Sequence, residues 1–432
     1  MMVRVEKVRS IMKWVNSSWS VVTLRFIAAG LSFLFMILVA RLLGVDGFGQ
    51  FTIVLALVNV GVVLSLLGQE ALATRVIAGG GHDKRKLFTY IRSARRQVTI
   101  ASIIVIAGFF LFSPLFPIGK RIKDPWLWYV LFLVPLVSRT RLSQGFIRGS
   151  HQAGMAILPD GVLRPGIAVF VMSIMLVEGF WSVPLTVSVL LCSSVFAMIF
   201  GMIWESRTLQ WKVKNKFECD RTQGSFSCFS WQIYLASILA VLISQMGILA
   251  TGMFSNAEQA GLYAAAERFS LASALMGQAI YQASSSRFAS YYHAKNKHKL
   301  VELIRKNTRF VSILTLAGCL FVAYASNFFL TLYGKAFIEA EPIMYILLVS
   351  VIINASAGPV GHLLIMTNNE RHHFRAMVVG TIVQGMLLPI IVPRMGGVGA
   401  AIVVLISTLI WNVLMIECVH RRLSLNRILA WA

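Results

Sequence analysis

Apolar residues run through this chain in long blocks of similar length, separated by short polar connections. Stretches of spanning length fall at about 19–43, 48–77, 97–118, 126–148, 153–177, 180–204, 230–254, 259–285, 310–333, 342–366, 374–393 and 396–419. A helix needs about 20 apolar residues to cross the hydrocarbon of a bilayer. The pattern therefore predicts an all-α membrane protein with twelve transmembrane helices. No connection exceeds roughly 25 residues, which leaves no room for a soluble catalytic domain on either side. The basic start, residues 1–18, reads as an amphipathic lead-in. It is not a removable signal peptide, because the apolar block behind it is too long and lacks a small-residue cleavage site.

Composition changes this picture little, but charge orients it. Of 432 residues 57% are hydrophobic and 13% charged, against about 25% charged in a soluble domain. The mean hydropathy is +0.75. A net charge of +23 need not mean nucleic acid, because Lys and Arg also collect in cytoplasmic loops. With the N-terminus inside, the cytoplasmic loops hold 28 of the 40 Lys and Arg, and the opposite loops hold only Lys120, Arg121, Lys123, Lys335 and Arg394. That asymmetry supports twelve spans with both termini cytoplasmic and no nucleic-acid partner. The longest cytoplasmic connections, 205–229 and 286–309, are basic and carry Trp211, Tyr291 and Tyr292, as expected of segments lying on an anionic leaflet. Five cysteines without CxxC spacing indicate neither a disulfide framework nor a zinc site.

The chain also repeats itself. Asp46-Gly47-Phe48-Gly49-Gln50-Phe51 reads acid-x-x-Gly-x-aromatic just after the first span, and Glu258-Gln259-Ala260-Gly261-Leu262-Tyr263 repeats it 212 residues on, just after the seventh. Arg75 falls on Arg287 at the same offset. Two halves that each begin inside are parallel repeats about an axis along the membrane normal. The domain plan is a lead-in (1–18), a six-helix bundle (19–204), a basic linker (205–229), a second six-helix bundle (230–419) and a basic tail (420–432), with the bundles around a central cavity.

Ionisable groups inside spans are the candidate chemistry, since a charge at the bilayer centre costs about 2.5–3.5 kcal/mol and is usually turned to a bundle interior. They are Arg25, Glu70, Arg139, Arg141, Asp160, Arg164, Glu267 and Arg268. Asp160 and Arg164 stack on one helix face, between Pro159 and Pro165; they form either a structural ion pair or part of a wet cavity. Arg141, Gln144, Gly145 and Arg148 share a face, while Arg139 is turned away by about 200° and snorkels or pairs elsewhere. Glu70 is either a coupling carboxylate or a partner of Arg75. The run Asn354–His362 is unusually polar and breakable for mid-membrane, and Gly361 falls on Gly149 at the repeat offset. Such matched interruptions point to a transport site, or to a packing kink. His362 is the one histidine placed for a role there, and no bound metal is expected. No GxxxxGK[ST], HExxH or GxSxG occurs, so neither ATP hydrolysis by a P-loop nor an enzyme is supported.

Ala40–Phe51 (ARLLGVDGFGQF) resembles the first-loop signature of the polysaccharide flippases of the MOP superfamily (the Wzx type). Gly261–Arg268 is similar to the segment that opens the second half in that family, and Gly396–Ala401 to a third feature. The resemblance implies two bundles arranged as a V around a central cavity. It also implies a substrate: a short oligosaccharide linked by pyrophosphate to a polyprenyl lipid, moved from the cytoplasmic to the periplasmic leaflet of a bacterial inner membrane for O-antigen, lipopolysaccharide or exopolysaccharide synthesis. Twelve spans differ from the lipid II flippases, which usually have two more.

The residues fit that expectation on their own physics. Arg pairs phosphate oxygens bidentately, and sugar hydroxyls need replacement hydrogen bonds when stripped of water. Arg25, Arg141, Arg164 and Arg268 are expected to receive the pyrophosphate, Gln144, Asn354 and Ser356 to contact sugar, and Glu70, Asp160 and Glu267 to serve coupling to a proton or sodium gradient, or gating. No cofactor is expected. Other polysaccharide-assembly membrane proteins are candidate partners. The alternatives are a multidrug or other small-solute antiporter of the same fold, whose cationic substrates call for an acidic cavity, and a membrane polymerase or ligase, which calls for a large external loop.

Overall fold

The computed structural model describes residues 18–78, 84–112, 125–150, 152–178, 182–214, 231–294, 296–367 and 369–423. The lead-in up to residue 17, the linker from 215 and the tail from 424 lie outside the described residues. Within them the elements are all helical. They are α1 (Ser18–Leu66), α2 (Gln69–Ala78), α3 (Lys84–Phe112), a 3-10 turn (Pro125–Phe132) leading into α4 (Leu133–Gly149), α5 (Ala153–Ile157), a π-helical turn (Leu158–Leu163), α6 (Arg164–Glu178) and α7 (Val183–Lys214). Then follow α8 (Trp231–Phe254), α9 (Ala257–His293), α10 (Lys297–Tyr324), α11 (Ser326–Tyr333), a 3-10 turn (Lys335–Ala340), α12 (Glu341–Ser356), α13 (Val360–Met366) and α14 (Glu370–Leu423).

Among the described residues eight helical stretches are long and apolar enough to cross a membrane. Two of these, in α1 and α14, are pairs of helices joined across a glycine: Gly44 (φ 68°) and Gly396 (φ 55°). A positive φ is open to glycine at little cost, so the chain breaks direction there without ending its helical run. These breaks fall where two expected spans meet. Two other expected spans do not pass the same measure of length and apolarity. α4 has 17 residues with Arg139, Arg141 and Arg148 among them, and α9 carries Glu258, Glu267 and Arg268. The expected span 48–77 is divided, because Leu67 (φ 48°) and Gly68 (φ 72°) turn the chain before α2. α3 begins thirteen residues ahead of its apolar block, carried by Lys and Arg, which are good helix formers.

The described residues form two compact units, one from those within 1–42, 57–116 and 122–234 and the other from those within 43–56 and 235–432. The second therefore includes the middle of α1. Its packing there is governed by the repeated motif. A Cβ on Gly49 would lie 1.7 Å from the carbonyl oxygen of Ala257, and one on Gly261 2.6 Å from that of Val45. The two equivalent glycines thus pack against each other, backbone on backbone, the close approach that small residues allow between membrane helices. Around this crossing Phe48 and Phe51 are fully buried. Phe48 meets the rings of Tyr333 and Phe337 edge-on at 5.5 and 5.6 Å. Asn256 caps α9 by accepting the Gln259 N–H at 2.8 Å, and the Gln259 side chain accepts the N–H of Gly397, beside the break in α14, at 3.1 Å.

Gly49→Ala and Gly261→Ala are expected to remove most properly folded protein, measured as the monodisperse peak in detergent and its melting temperature. Gly30→Ala and Gly108→Ala, where an added Cβ meets nothing within 4 Å, should leave both readings unchanged or raise them, since Ala favours a helix by about 1 kcal/mol.

Candidate functional site

In the first unit the charges fall into three groups. The most buried centres on Glu205, whose side chain is 0% exposed. One carboxylate oxygen accepts from Arg95 Nε and Nη2 at 3.2 and 2.7 Å, and the other from Arg139 Nη2 at 2.9 Å and the Ser143 hydroxyl at 2.8 Å. Four donors from α3 and α4 meet one carboxylate of α7. A buried ion is tolerable only when its remaining lone pairs are satisfied in this way. Arg139, turned away from the Arg141 face, thus pairs elsewhere, with Glu205.

The second group sits where α2 crosses α4. Gly145 and Gly149, spaced as in other close membrane crossings, put the carbonyls of Glu70 and Thr74 within 2.7 Å of where a Cβ would be. The Thr74 hydroxyl lies 3.1 Å from the Gly145 carbonyl and donates to it. This crossing brings Glu70 to Arg148, with which it forms an ion pair, while Arg148 lies 3.4 Å from the buried Gln144 side chain. The partner of Glu70 is Arg148 rather than the expected Arg75, because the crossing aligns its carboxylate with the end of α4.

The third group is part-exposed, as the second is, and sets two arginines against one carboxylate. Asp160 lies in the π-helical turn between Pro159 and Pro165; it accepts from Arg164 Nη1 at 2.8 Å and has Arg141 Nε at 3.9 Å. Arg141 and Arg164 are 31% and 30% exposed, unlike the sealed Glu205. A π turn takes an extra residue and loosens the helical ladder, and such turns are frequent at functional sites. Gly161 packs against Ala28 of α1, with 3.0 Å between Ala28 and an added Cβ, so Arg25 stands one turn along the helix that abuts this turn. Two guanidinium groups against one carboxylate leave surplus positive charge on an accessible surface, which can receive an anion.

In the second unit the polar residues line two adjoining cavities of about 220 and 160 Å³ that share Gln278, Asn354 and Trp411. Tyr281, His362, His373 and Asn412 belong to the larger; Tyr263, Glu267, Ser270 and Gln384 belong to the smaller. Asn354 accepts from Asn412 Nδ2 at 3.2 Å. The walls come from α8, α9, α10, α12, α13 and both arms of α14, and the break at Gly358 (φ 80°) between α12 and α13 lines the larger cavity.

Of the residues singled out by sequence, Arg141, Asp160 and Arg164 come together in the first unit, with Gln144 beside the Glu70–Arg148 pair. Asn354, Glu267 and His362 line cavities of the second. Arg268 and Ser356 are half-buried in that same unit and line neither cavity. Sequence reading missed Glu205, which sits one residue past the expected end of span six and so was assigned to the linker. It also missed Gln384, His373 and Trp411, which show no local spacing that ties them to Asn354. Among the described residues no cluster of His, Cys, Asp and Glu could hold a metal ion.

Comparison with known proteins places this geometry in a group. A family model described as polysaccharide biosynthesis protein matches residues 15–283. The chain is 23% identical over 390 residues to the probable low-salt glycan biosynthesis flippase Agl15 of Haloferax volcanii, covering 89% of this chain and 79% of that protein. Its fold is similar to that of an inward-facing multidrug resistance MATE family transporter of the MOP superfamily, with a TM-score of 0.72 at 15% identity over 91% of this chain and 94% of that one. It is also similar to the lipid II flippase MurJ in an inward closed conformation, with a TM-score of 0.71 at 10% identity over 93% and 87% of the two chains.

Glu205→Ala strands Arg139 and Arg95 without their counter-ion and is expected to cost about 3–5 kcal/mol, read as a large fall in melting temperature. Adding Arg139→Leu to that variant should recover part of the loss. Asp160→Asn, in the third group, should cost about 1 kcal/mol or less.

Proposed function

The chain belongs to the polysaccharide biosynthesis protein family, and on that premise we propose that it flips a polyprenyl-pyrophosphate-linked oligosaccharide from the cytoplasmic to the periplasmic leaflet of a bacterial inner membrane. The substrate crosses without chemical change, and access alternates between the two sides. In this reading the chain crosses the membrane twelve times, six in each of 19–204 and 230–419, with both termini cytoplasmic; the 28-to-5 distribution of Lys and Arg favours that orientation. Its products feed surface polysaccharide assembly, whose other membrane proteins are candidate partners.

The observation that carries the reading is the part-exposed cationic group of Arg141, Asp160 and Arg164 at the π turn. A pyrophosphate is a compact polyanion, and fixed guanidinium donors match its oxygens. Asp160 holds both arginines in place and keeps the site from binding its anion too tightly to release. Arg25 and Arg268 extend the cationic surface in their own units, and Gln144, Asn354 and Ser356 offer hydrogen bonds to sugar. The likeness to a multidrug transporter is one of fold. A site for cationic drugs calls for carboxylates in excess, and here arginines outnumber them. Glu70 and Asp160 are both held by arginine, which leaves Glu267, in a cavity wall, as the carboxylate best placed to couple transport to a proton or sodium gradient.

In liposomes carrying a fluorescent polyprenyl-pyrophosphate glycan on one leaflet, the protein should speed its appearance on the other. Arg164→Ala should reduce that rate at least tenfold at normal protein level and melting temperature. Wild-type transport by the variant would remove Arg164 from the site, and no crossing of any lipid-linked sugar under an imposed proton or sodium gradient would overturn the flippase reading.

A further inference from the structure

The two cavities of the second unit differ in chemistry from the cationic group of the first. Among the described residues no Lys or Arg lines either one; the walls are largely apolar, and their polar groups are amides, hydroxyls, imidazoles, an indole and the carboxylate of Glu267. Three of the lining residues carry buried polar atoms with no partner in the protein: Trp411 Nε1, His373 Nδ1 and Gln384 Oε1. Gln384 as a whole is 1% exposed. An orphaned buried polar atom is destabilising, so three around one pair of cavities mark a place suited to something that supplies the missing hydrogen bonds.

The mixture decides what that is. A metal cation needs acceptors, and the indole N–H only donates. An anion needs donors, and it would meet the Gln384 carbonyl oxygen and the Glu267 carboxylate. A hydroxyl both donates and accepts, so a polyhydroxylated ring can answer an indole N–H, an amide oxygen and an imidazole nitrogen together. The indole also presents an apolar face beside its polar edge, which suits a ring that is apolar on its faces and polar at its rim. The larger cavity holds about seven water volumes, room for one sugar ring rather than an oligosaccharide.

We infer that the second unit carries a subsite for one uncharged sugar ring, walled by Trp411 and Gln384 with Gln278, Asn354 and His373. The inference rests on the glycan-flippase reading and deepens it: these cavities suit a neutral ring, whereas the Arg141–Asp160–Arg164 group suits an anion. It also sets a preference, because Glu267 and the absence of any wall cation disfavour a sugar that bears a carboxylate.

The test uses the purified full chain and methyl glycosides of glucose, N-acetylglucosamine and glucuronic acid, with saturation transfer from protein to glycoside read by NMR. Transfer is expected to one or both neutral glycosides and to be at least fivefold weaker for the glucuronide. Trp411→Phe, which keeps a ring but loses the N–H, and Gln384→Leu, which removes the orphaned oxygen, should each cut the neutral signal at least fivefold. Gln384→Leu should melt at or above the wild-type temperature, so a lost signal in that variant is not a folding defect. Equal transfer to the glucuronide, no transfer to any neutral glycoside, or transfer indifferent to Gln384→Leu would overturn the subsite and leave the cavities to water. The leaflet-crossing assay separates the two readings. Glycoside binding without crossing of any lipid-linked sugar sinks the flippase and keeps the subsite. Crossing with no glycoside binding, and with wild-type half-saturation in Gln384→Leu, does the reverse.

Discussion

The contact on which the second unit depends is the meeting of Gly49 and Gly261, two residues that occupy the same place in the two halves of the repeat. At that distance the interaction is between peptide groups, with no side chain to soften it. Dispersion between closely packed backbones is strong per unit area, and in a bilayer it replaces the hydrophobic force that lipid cannot supply. Everything near it is arranged to hold that approach. Gly44 turns the chain so that the middle of α1 joins the second unit, Phe48 locks into the Tyr333 and Phe337 rings, and Gln259 ties the crossing to the break at Gly396. The three short motifs that carry the family resemblance therefore converge on one structural knot. Their glycines are signatures of architecture, and only Glu267 and Arg268, at the end of the second motif, carry candidate chemistry.

The first unit solves a different problem, how to keep many cations inside an apolar body. Its answer is graded. Glu205, itself sealed from solvent, holds the nearly buried Arg139 and the part-exposed Arg95, Glu70 holds Arg148 at the edge of a helix crossing, and Asp160 restrains Arg141 and Arg164 where both stay accessible. A buried pair is worth little net but is costly to break, whereas a half-exposed pair opens cheaply. Burial of the carboxylate thus separates Glu205, whose loss strands its arginines, from Glu70 and Asp160, whose pairs stay in reach of solvent.

Much of this was legible in the chain. The apolar blocks gave the helices because a bilayer admits little else. The four-residue spacing of Asp160 and Arg164, with a proline on either side, announced both an ion pair and a disturbed helix. The repeat at Asp46 and Glu258 singled out Gly49 and Gly261, the two glycines that pack together. What stayed hidden has a common cause: it depends on contacts between residues far apart in sequence. Nothing near Glu205 points to Arg95, 110 positions earlier, and a simple apolar measure loses α4, whose three arginines are answered by carboxylates of other helical segments. The sugar-sized cavities combine Gln278, Asn354, Gln384 and Trp411 from three helices, and no local period links them. The membership of residues 43–56 in the second unit is a fact of tertiary packing that hydropathy cannot record.

That membership has a consequence for how the protein is made. Gly49 leaves the ribosome 212 residues before Gly261, which at 5–20 residues per second is a delay of roughly 10–40 s. During that interval the first half is already inserted while its middle segment has no partner. Within the segment the Gln50 amide donates to the Asp46 carboxylate at 2.8 Å, one turn away, a contact that needs nothing from the second half. Synthesis of α9 then delivers the matching glycine to a site that has been waiting, and the second unit closes around a piece of the first half. The order of translation thus fixes the order of assembly, and a chain stalled before residue 261 would hold an unfilled backbone surface for the quality-control machinery of the membrane to recognise.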